Sequence, residues 1–237
     1  MIAEKNELQP WRVRSWCIAK PSAHYAAKME DVLSVYHRPY DSKRPVVCLD
    51  ETSKAFRSSP RGVLPLKAGQ GYREDYEYHR HGSAALFLSV EPLSGQRQVR
   101  VRPQRTAIDF AEVLKAIADE DYPNAEKIIL IVDNLNTHHM AALYERFPPA
   151  EAHRIAQKFE WHFTPEHGSW LNVAECELAA FTKQCLRRRI PDIETLARET
   201  AAWVQRRNLA KVTIDWQFTT NDARIKLKRL YPILKEQ

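Results

Sequence analysis

Short apolar runs and runs of alternating polarity predict the strands of this chain. Residues 46–49 and 128–132 are continuous apolar stretches, which are typical of strands buried on both faces of a sheet. Residues 72–78 alternate aromatic and charged side chains, and residues 83–91 and 96–102 follow as one buried and one alternating run. We predict that these last three runs form an antiparallel meander. The core strands are predicted over 46–50, 127–132 and 159–163.

Apolar side chains spaced three and four residues apart predict the helices. Residues 22–36 carry this pattern, and Ser22 at its start is a suitable N-cap. Thr106 has the same position before 107–119, and a long helix is expected from near Ser169 to about Arg188. Because helices and strands follow one another along the chain, we expect an α/β protein. Shorter helices are predicted over 137–147, 150–157, 193–207 and 221–230.

The composition fits a globular protein with its own hydrophobic core. The chain has 237 residues, 44% hydrophobic and 28% charged, enough for one large domain or one domain with a small appendage. No apolar run approaches the roughly 20 residues that span a bilayer, and the first residues contain no apolar signal segment. The four cysteines form no C-x-x-C pair, which argues against a cysteine zinc site. We therefore expect a cytoplasmic protein with no membrane partner.

The charge is distributed in blocks. Residues 53–105 carry a net charge of +6, residues 106–185 carry −7, and residues 186–237 carry +6. Basic stretches favour a polyanionic partner, whereas the acidic middle would repel that partner unless its carboxylates hold cations. A metal-dependent nuclease needs this combination, so the pattern predicts DNA binding through the two basic stretches.

Two aspartates follow the two most apolar strands. Asp50 comes directly after the first of these strands and Asp133 directly after the second. Because ligands bind at the carboxyl ends of the strands in open α/β sheets, we expect both carboxylates in one crevice, where a hard divalent cation would neutralise them. The alternative is that both are turn formers or helix caps. Glu51 competes with Asp50, but in an extended strand it faces the opposite side.

A third acid is expected from the helix that begins near residue 169. Glu175 and Glu177 are the candidates, and they are about 200° apart on a helix, so only one can face the sheet. The apolar residues Leu171 and Leu178 lie one turn on either side of Glu175. Periodicity alone favours Glu175 only slightly.

The three blocks that contain these acids carry a family resemblance. They are LDET at 49–52, IVDNLNTH at 131–138 and TPEHGSWLNVAE at 164–175. Three motifs in this order resemble those of bacterial insertion-sequence transposases of the mariner-like superfamily, and the similarity runs from about residue 10 to near the end. The resemblance implies a ribonuclease H-like fold, with a central mixed sheet and helices on both faces, and the activity of a DDE endonuclease.

The resemblance also implies the site. In that family the third acid follows an Asn-x-x-Glu pattern, which Asn172 and Glu175 match and Glu177 does not. Asp50, Asp133 and Glu175 are thus the implied catalytic and metal-binding residues, with Asp50 between two Mg²⁺ or Mn²⁺ ions. The implied reaction is hydrolysis that frees a 3′-hydroxyl, followed by attack of that hydroxyl on target DNA. We expect Glu175→Gln to abolish cleavage and Glu177→Gln largely to spare it.

Six other residues are candidate DNA contacts. Two histidines and a tryptophan lie in the same blocks as the acids, and three arginines follow the acidic helix. The tryptophan could stack on an unpaired base, and the arginines could bind phosphates. Each also has a structural alternative: a histidine that fixes a loop, a core tryptophan, or a basic helix end beside its own dipole. The candidates are His138, His167, Trp170, Arg187, Arg188 and Arg189.

The resemblance implies transposon ends and target DNA as partners, bound by a homodimer at the bacterial nucleoid. Family members carry an upstream helix-turn-helix module, and residues 8–14 resemble only its tail. We therefore expect residues 1–40 to form that tail and a linker helix, with end recognition supplied by an upstream segment or a separate chain. Residues 41–237 are expected to form the catalytic domain. The rival functions are a catalytically decayed or domesticated DNA-binding fragment and a repair or junction nuclease of the same fold.

Overall fold

The computed structural model describes residues 22–135 and 137–232. Single π-helical turns extend two helices over Ile117–Asp121 and Thr182–Leu186, and 3-10 turns lie at Ser169–Leu171 and Lys228–Leu230. The helices are α1 (Ala23–Tyr36), α2 (Ala107–Ala116), α3 (Ala141–Arg146), α4 (Pro149–Gln157), α5 (Val173–Phe181), α6 (Ile193–Leu209) and α7 (Thr220–Lys226). The strands are β1 (Val46–Ser58), β2 (Val63–Leu64), β3 (Arg73–Glu74), β4 (His79–Glu91), β5 (Gln96–Arg102), β6 (Ile128–Val132) and β7 (Phe159–Phe163).

Five of these strands form one mixed sheet in the order β5-β4-β1-β6-β7. β1 is antiparallel to β4, which is antiparallel to β5. On its other side β1 is parallel to β6, and β6 is parallel to β7. The predicted mixed sheet is therefore confirmed, with its parallel half built from the most apolar runs of the sequence.

Helices cover both faces of this sheet and bury two apolar cores. Along β1, the side chains of Val47 and Leu49 pack in the core that contains α2, α3 and α4. The side chain of Cys48 packs in the core on the other face, with α1, α5 and α6. Because side chains alternate along a strand, Asp50 continues the face of Cys48, and Glu51 continues the face of Leu49.

The antiparallel half of the sheet differs from the predicted meander. β1 continues past Asp50 to Ser58 and pairs with β4 as far as the Ser58–His79 pair, so β1 occupies the place predicted for residues 72–78. Of those residues, only Arg73–Glu74 is a strand, paired with β2 outside the main sheet. The aromatic alternation was misleading because its side chains meet no core; Tyr76 is 96% exposed.

Helix α1 belongs to the same core as the sheet. Met29, Val32 and Leu33 are fully buried against it, and Ser22 caps the helix as predicted by accepting a hydrogen bond from the Tyr25 backbone at 3.0 Å. Among the described residues, α1 thus packs in one core with β1, β4 and α5, while residues 8–14 lie outside the described part. Among the described residues, no helix is both long and apolar enough to cross a membrane.

Candidate functional site

The parallel strands bring Asp50 and Asp133 to the same level of the sheet. β1 and β6 pair Cys48 with Ile131, and two residues further along the two chains are Asp50 and Asp133. This is the carboxyl end of β6, the edge at which open α/β sheets bind ligands. The predicted meeting of the two acids at one edge thus follows from the observed register.

Asp50 is a buried carboxyl group among other acids. It is 7% exposed, and its Oδ1 accepts a hydrogen bond from the Glu51 backbone at 2.8 Å. Burial raises the pKa of Asp50 to about 7, and the charges of Glu175, Glu51 and Asp133 add to the rise. Among the described residues, no basic side chain forms a hydrogen bond or an ion pair with Asp50. A bound cation would therefore stabilise its ionised form.

Asp133 is held by His138, which lies between two carboxylates. His138 Nδ1 is 2.5 Å from Asp133 Oδ1, and Nε2 is 3.0 Å from Glu51 Oε2. Burial opposes protonation of His138, but hydrogen bonding and the charges of the two acids outweigh it and raise its pKa to about 9. Burial raises the pKa of Asp133, but the hydrogen bond from His138 and the charge of His138 lower it by more than burial raises it. The pKa of Asp133 is therefore lowered overall. The two carboxylates that flank His138 therefore favour its protonated form.

The local backbone explains why His138 points inward. A helix is predicted over 137–147, but α3 begins only at Ala141, and His138 lies in the turn before it. Its backbone donates to Leu135 O at 2.9 Å, and its ring stacks on Phe110 of α2 with the ring centres 4.5 Å apart. The side chain is 2% exposed, so in this structure His138 is not a surface contact.

Glu175 comes to the site on α5, whose start is fixed by Asn172. The Asn172 side chain accepts from the Ala174 backbone at 3.1 Å as the N-cap and donates to Leu49 O of β1 at 3.0 Å. The helix therefore begins at Val173, later than the predicted start near Ser169. One turn into α5, Glu175 is exposed at the cleft beside β1. The Asn-x-x-Glu spacing thus joins a helix start to the strand that carries Asp50.

A second anchor holds the same helix start from α1. The Tyr36 hydroxyl donates to Leu171 O at 2.6 Å and accepts from the Val173 backbone at 3.2 Å. Tyr36 is itself stacked on Trp216 with ring centres 5.0 Å apart. The placement of Glu175 therefore depends on α1 and on the segment that follows α6 as well as on the sheet.

Glu177 faces away from the site and has a structural role. Its side chain is 3% exposed and pairs with Arg97 at 3.1 Å and with Arg207 at 2.6 Å. Arg97 belongs to β5 and Arg207 to α6, so Glu177 joins three elements of the fold. The structure separates the two glutamates that periodicity could not.

The other candidate DNA contacts fall in different environments. Arg187 lines the cleft with Glu175 and Lys183, whereas Arg188 pairs with Glu199. Arg189 donates to Ser59 Oγ, Glu77 O and Asp75 O and pairs with Glu74, so it holds the segment around β2 and β3. His167 and Trp170 are exposed in the loop before α5. Trp170 is 41% exposed. Its ring stacks on Trp216, and its Nε1 donates to the Tyr25 hydroxyl at 3.4 Å.

The donor chemistry of the site fits a hard divalent cation. Asp50 and Asp133 each accept protein hydrogen bonds on Oδ1, and no bond to either Oδ2 is recorded among the described residues. Glu175 adds a third carboxylate, and Mg²⁺ and Mn²⁺ prefer such oxygen ligands. Within residues 22–135 and 137–232, no three His, Cys, Asp or Glu side chains converge on a single point as they stand. The carboxylate ligands therefore agree with Mg²⁺ or Mn²⁺.

Replacing Asn172 with Ala is expected to loosen the start of α5. The change removes the helix cap and the bond to β1, so we expect a loss of about 2 kcal/mol in unfolding free energy. Because Glu175 would be misplaced, the DNA cleavage expected from the sequence should fall by up to about a hundredfold. Urea unfolding and cleavage rates measure both effects. Asn124→Ala, in an exposed turn, is the control; equal losses in both variants would contradict the role of Asn172.

Comparisons with known proteins identify the family and the fold. A family model described as DDE superfamily endonuclease matches residues 45–197. The structure is similar to the crystal structure of the Mos1 mariner paired-end complex with Mn, with a TM-score of 0.54 and 16% identity, covering 88% of this chain. It is also similar to the Mos1 transposase paired-end complex with left transposon end, with a TM-score of 0.53, 15% identity and 96% coverage. The predicted ribonuclease H-like fold is confirmed.

The similarity covers only part of those transposases. This chain spans 64% of the Mos1 chain in the complex with Mn and 67% of the chain in the complex with the left transposon end. No curated protein matches the sequence.

Proposed function

Since the chain belongs to the DDE superfamily endonucleases, we propose that it is the catalytic core of a DNA transposase, which cuts DNA at transposon ends and joins the freed 3′ ends to target DNA. The observation that supports the proposal is the parallel register of β1 and β6, which brings Asp50 and Asp133 to the same level, with Glu175 at the cleft beside β1. Two aspartates come from neighbouring parallel strands, and the glutamate comes from the helix tied to one of them.

The three acids would hold the divalent cations, with Mg²⁺ as the expected ion and Mn²⁺ as its substitute. When bound, the cations would neutralise charge on the scissile phosphate and lower the pKa of an attacking water. Asp50 requires such a cation most, because it is buried among three other acids. The proposed site residues are Asp50, Asp133 and Glu175.

The remaining side chains of the cleft would bind and orient DNA. Lys183 and Arg187 line the same cleft as Glu175 and would contact phosphates, which contributes affinity without reading sequence. His167 and Trp170 lie exposed on the loop before α5, where they would contact the strand near the cleavage point. Stacking of Trp170 on an unpaired base is compatible with its rigid support by Trp216.

The partners follow from the same proposal. Transposition joins two transposon ends, so we propose that two copies of the protein act together on DNA. A bacterial insertion sequence is the proposed source, and its DNA at the nucleoid is the proposed place of action. Mos1 structures similar to this chain are paired-end complexes, which supports a DNA partner.

The test is strand cleavage and joining on labelled duplexes that carry the terminal repeats flanking the gene. We expect products with Mg²⁺ and Mn²⁺ and none with EDTA. Glu175→Gln should lower the rate about a thousandfold or more, equivalent to about 4 kcal/mol of barrier, because the amide cannot neutralise a cation. Glu145→Gln, an exposed acid on α3, should leave the rate unchanged. Cleavage that persists in EDTA, or that survives Glu175→Gln, would exclude this function.

A further inference from the structure

Three side chains form a continuous line that ends at the second acid of the site. Glu51 Oε2 lies 3.0 Å from His138 Nε2, and His138 Nδ1 lies 2.5 Å from Asp133 Oδ1. Glu51 and His138 side chains are 6% and 2% exposed, whereas Asp133 is 32% exposed. The line therefore begins inside the protein and ends at a carboxylate that solvent can reach.

The fold constrains His138, in the middle of this line, and Glu51, at its inner end. The His138 ring is stacked on Phe110 with an interplanar angle of 28°, which fixes the plane in which its two nitrogens lie. Glu51 is held by the β1 backbone on the face opposite Asp50. Apart from His138, no ion-pair partner of Glu51 is recorded among the described residues. Glu51 also lines the cleft that contains Glu175, and its largely buried charge is offset by the histidine at 3.0 Å.

The effect on Asp133 is to occupy one oxygen and leave the other. Oδ1 accepts from His138 Nδ1 and from the Leu135 backbone at 3.2 Å, which stops rotation of the carboxylate. Without these bonds, a side chain at the open end of β6 would sample several rotamers. The bonds therefore orient Oδ2 before any ligand arrives.

We propose that Glu51 and His138 are positioning residues, which hold the Asp133 carboxylate in the orientation that binds a divalent cation. The inference rests on the proposed function and assigns Glu51 and His138 a role that does not involve contact with DNA. In protein metal sites, the groups that orient a ligand commonly affect affinity by about 10–100-fold when they are changed. Glu51 acts only through His138, so its contribution should vanish when the histidine link is lost.

The experiment measures Mn²⁺ binding to the whole chain from the EPR signal of free Mn²⁺. Glu51→Gln and His138→Ala should each weaken Mn²⁺ affinity by about 10–100-fold. His138→Asn can still donate to Asp133 but cannot reach Glu51, so its affinity should lie between those of His138→Ala and the unchanged protein. Adding Glu51→Gln to His138→Asn should cause no further loss, because the two residues act through one contact. Glu145→Gln serves as the matched acid-to-amide control on the surface of α3.

Two further measurements separate positioning from other roles. Thermal melting in EDTA reports how stable each variant is. If Glu51 and His138 are positioning residues, the order of the variants by Mn²⁺ affinity should differ from their order by melting temperature. DNA affinity in EDTA should be unchanged within about twofold. A loss of DNA affinity with a salt slope reduced by about one would make His138 a phosphate contact and overturn the inference.

The remaining outcomes distinguish this inference from the proposed function. If the unchanged protein binds Mn²⁺ and cuts DNA while Glu51→Gln and His138→Asn bind Mn²⁺ equally well, positioning is wrong and the nuclease function stands. Additive losses in the double variant would also overturn the link between Glu51 and His138. If the unchanged protein neither binds Mn²⁺ nor cuts DNA, the proposed function fails, and this inference fails with it.

Discussion

Asp50→Asn is expected to abolish DNA cleavage and, in EDTA above pH 7, to make the folded protein more stable. The fold raises the pKa of Asp50 from 3.8 to about 7. The ionised form is therefore disfavoured in the folded state: the penalty is absent below about pH 4, grows between pH 4 and 7, and is complete above pH 7. Asn carries no charge and keeps an oxygen that can accept from the Glu51 backbone. At about 1.4 kcal/mol per pKa unit, the gain should be about 2–4 kcal/mol at pH 8.

Urea unfolding in EDTA at pH 4 and pH 8 measures this gain. We expect little difference between Asp50→Asn and the unchanged protein at pH 4 and a clear stabilisation at pH 8. Glu145→Gln should show no such pH dependence, because Glu145 is exposed. An equal effect at both pH values, or a less stable Asn variant at pH 8, would show that the ionised Asp50 side chain does not destabilise the folded protein.

Glu177→Gln is expected to destabilise the protein by about 3–5 kcal/mol, although it removes no atom from the site. Arg97 is fully buried and Arg207 is 15% exposed, and both pair with the Glu177 carboxylate. Neutralising the glutamate leaves the buried charge of Arg97 and the partly buried charge of Arg207 without their counterion, which is the costly way to break a buried pair. The expectation from the sequence that Glu177→Gln largely spares cleavage therefore applies at temperatures where this variant stays folded.

Glu175→Gln provides the matched comparison two residues away on the same helix. Glu175 is exposed at the cleft, so its substitution should change the unfolding free energy by less than about 0.5 kcal/mol while it abolishes cleavage. For Glu177→Gln we expect the reverse order, with lost activity following lost folding as temperature rises. Urea unfolding of both variants, and cleavage measured well below their melting temperatures, separate the two roles. Equal stability of the two variants would contradict the buried role of Glu177.

Local patterns predicted most of the regular elements but not the extent of β1. Apolar runs correctly placed β6 and β7, and the Thr106 cap correctly placed the start of α2. β1 was predicted to end at its first acid because polarity rises there, yet pairing with β4 carries it to Ser58. Beyond Asp50 this pairing joins residues 36 to 21 positions apart, from Glu51–Phe87 to Ser58–His79, which periodicity within one segment cannot detect.

The site was predictable where spacing alone decides it and not where burial decides it. Asp133 lies just after the end of β6, as predicted, whereas Asp50 lies within β1, just after its pairing with β6 ends. Asn172 was noticed only as part of a motif. The inward turn of His138 was missed, because residues 137–147 have helical periodicity. Its pairing with Glu51 could have been suspected from the strand alternation that places Glu51 opposite Asp50.

The charge blocks were a weaker guide to DNA binding than their size suggests. Arginines of the basic stretches pair with acids of the middle block: Arg100 with Asp121, and Arg102 with Asp109 and Glu112. These charges neutralise one another within the fold and are not available as a uniform basic surface. Net charge by segment cannot show this, because it does not record which charges become neighbours.

The contacts of α5 define the smallest part of the chain that could fold by itself. The family match covers residues 45–197, but Tyr36 lies before it and both Arg207 and Trp216 lie after it. A fragment cut to 45–197 would lose the hydroxyl that holds the start of α5 and one of the arginines that neutralise Glu177. It would also expose the apolar face that α1 covers. An expression fragment that keeps these contacts of α5 must therefore run from the start of α1 to beyond Trp216, so the family match and the packed unit have different boundaries in this protein.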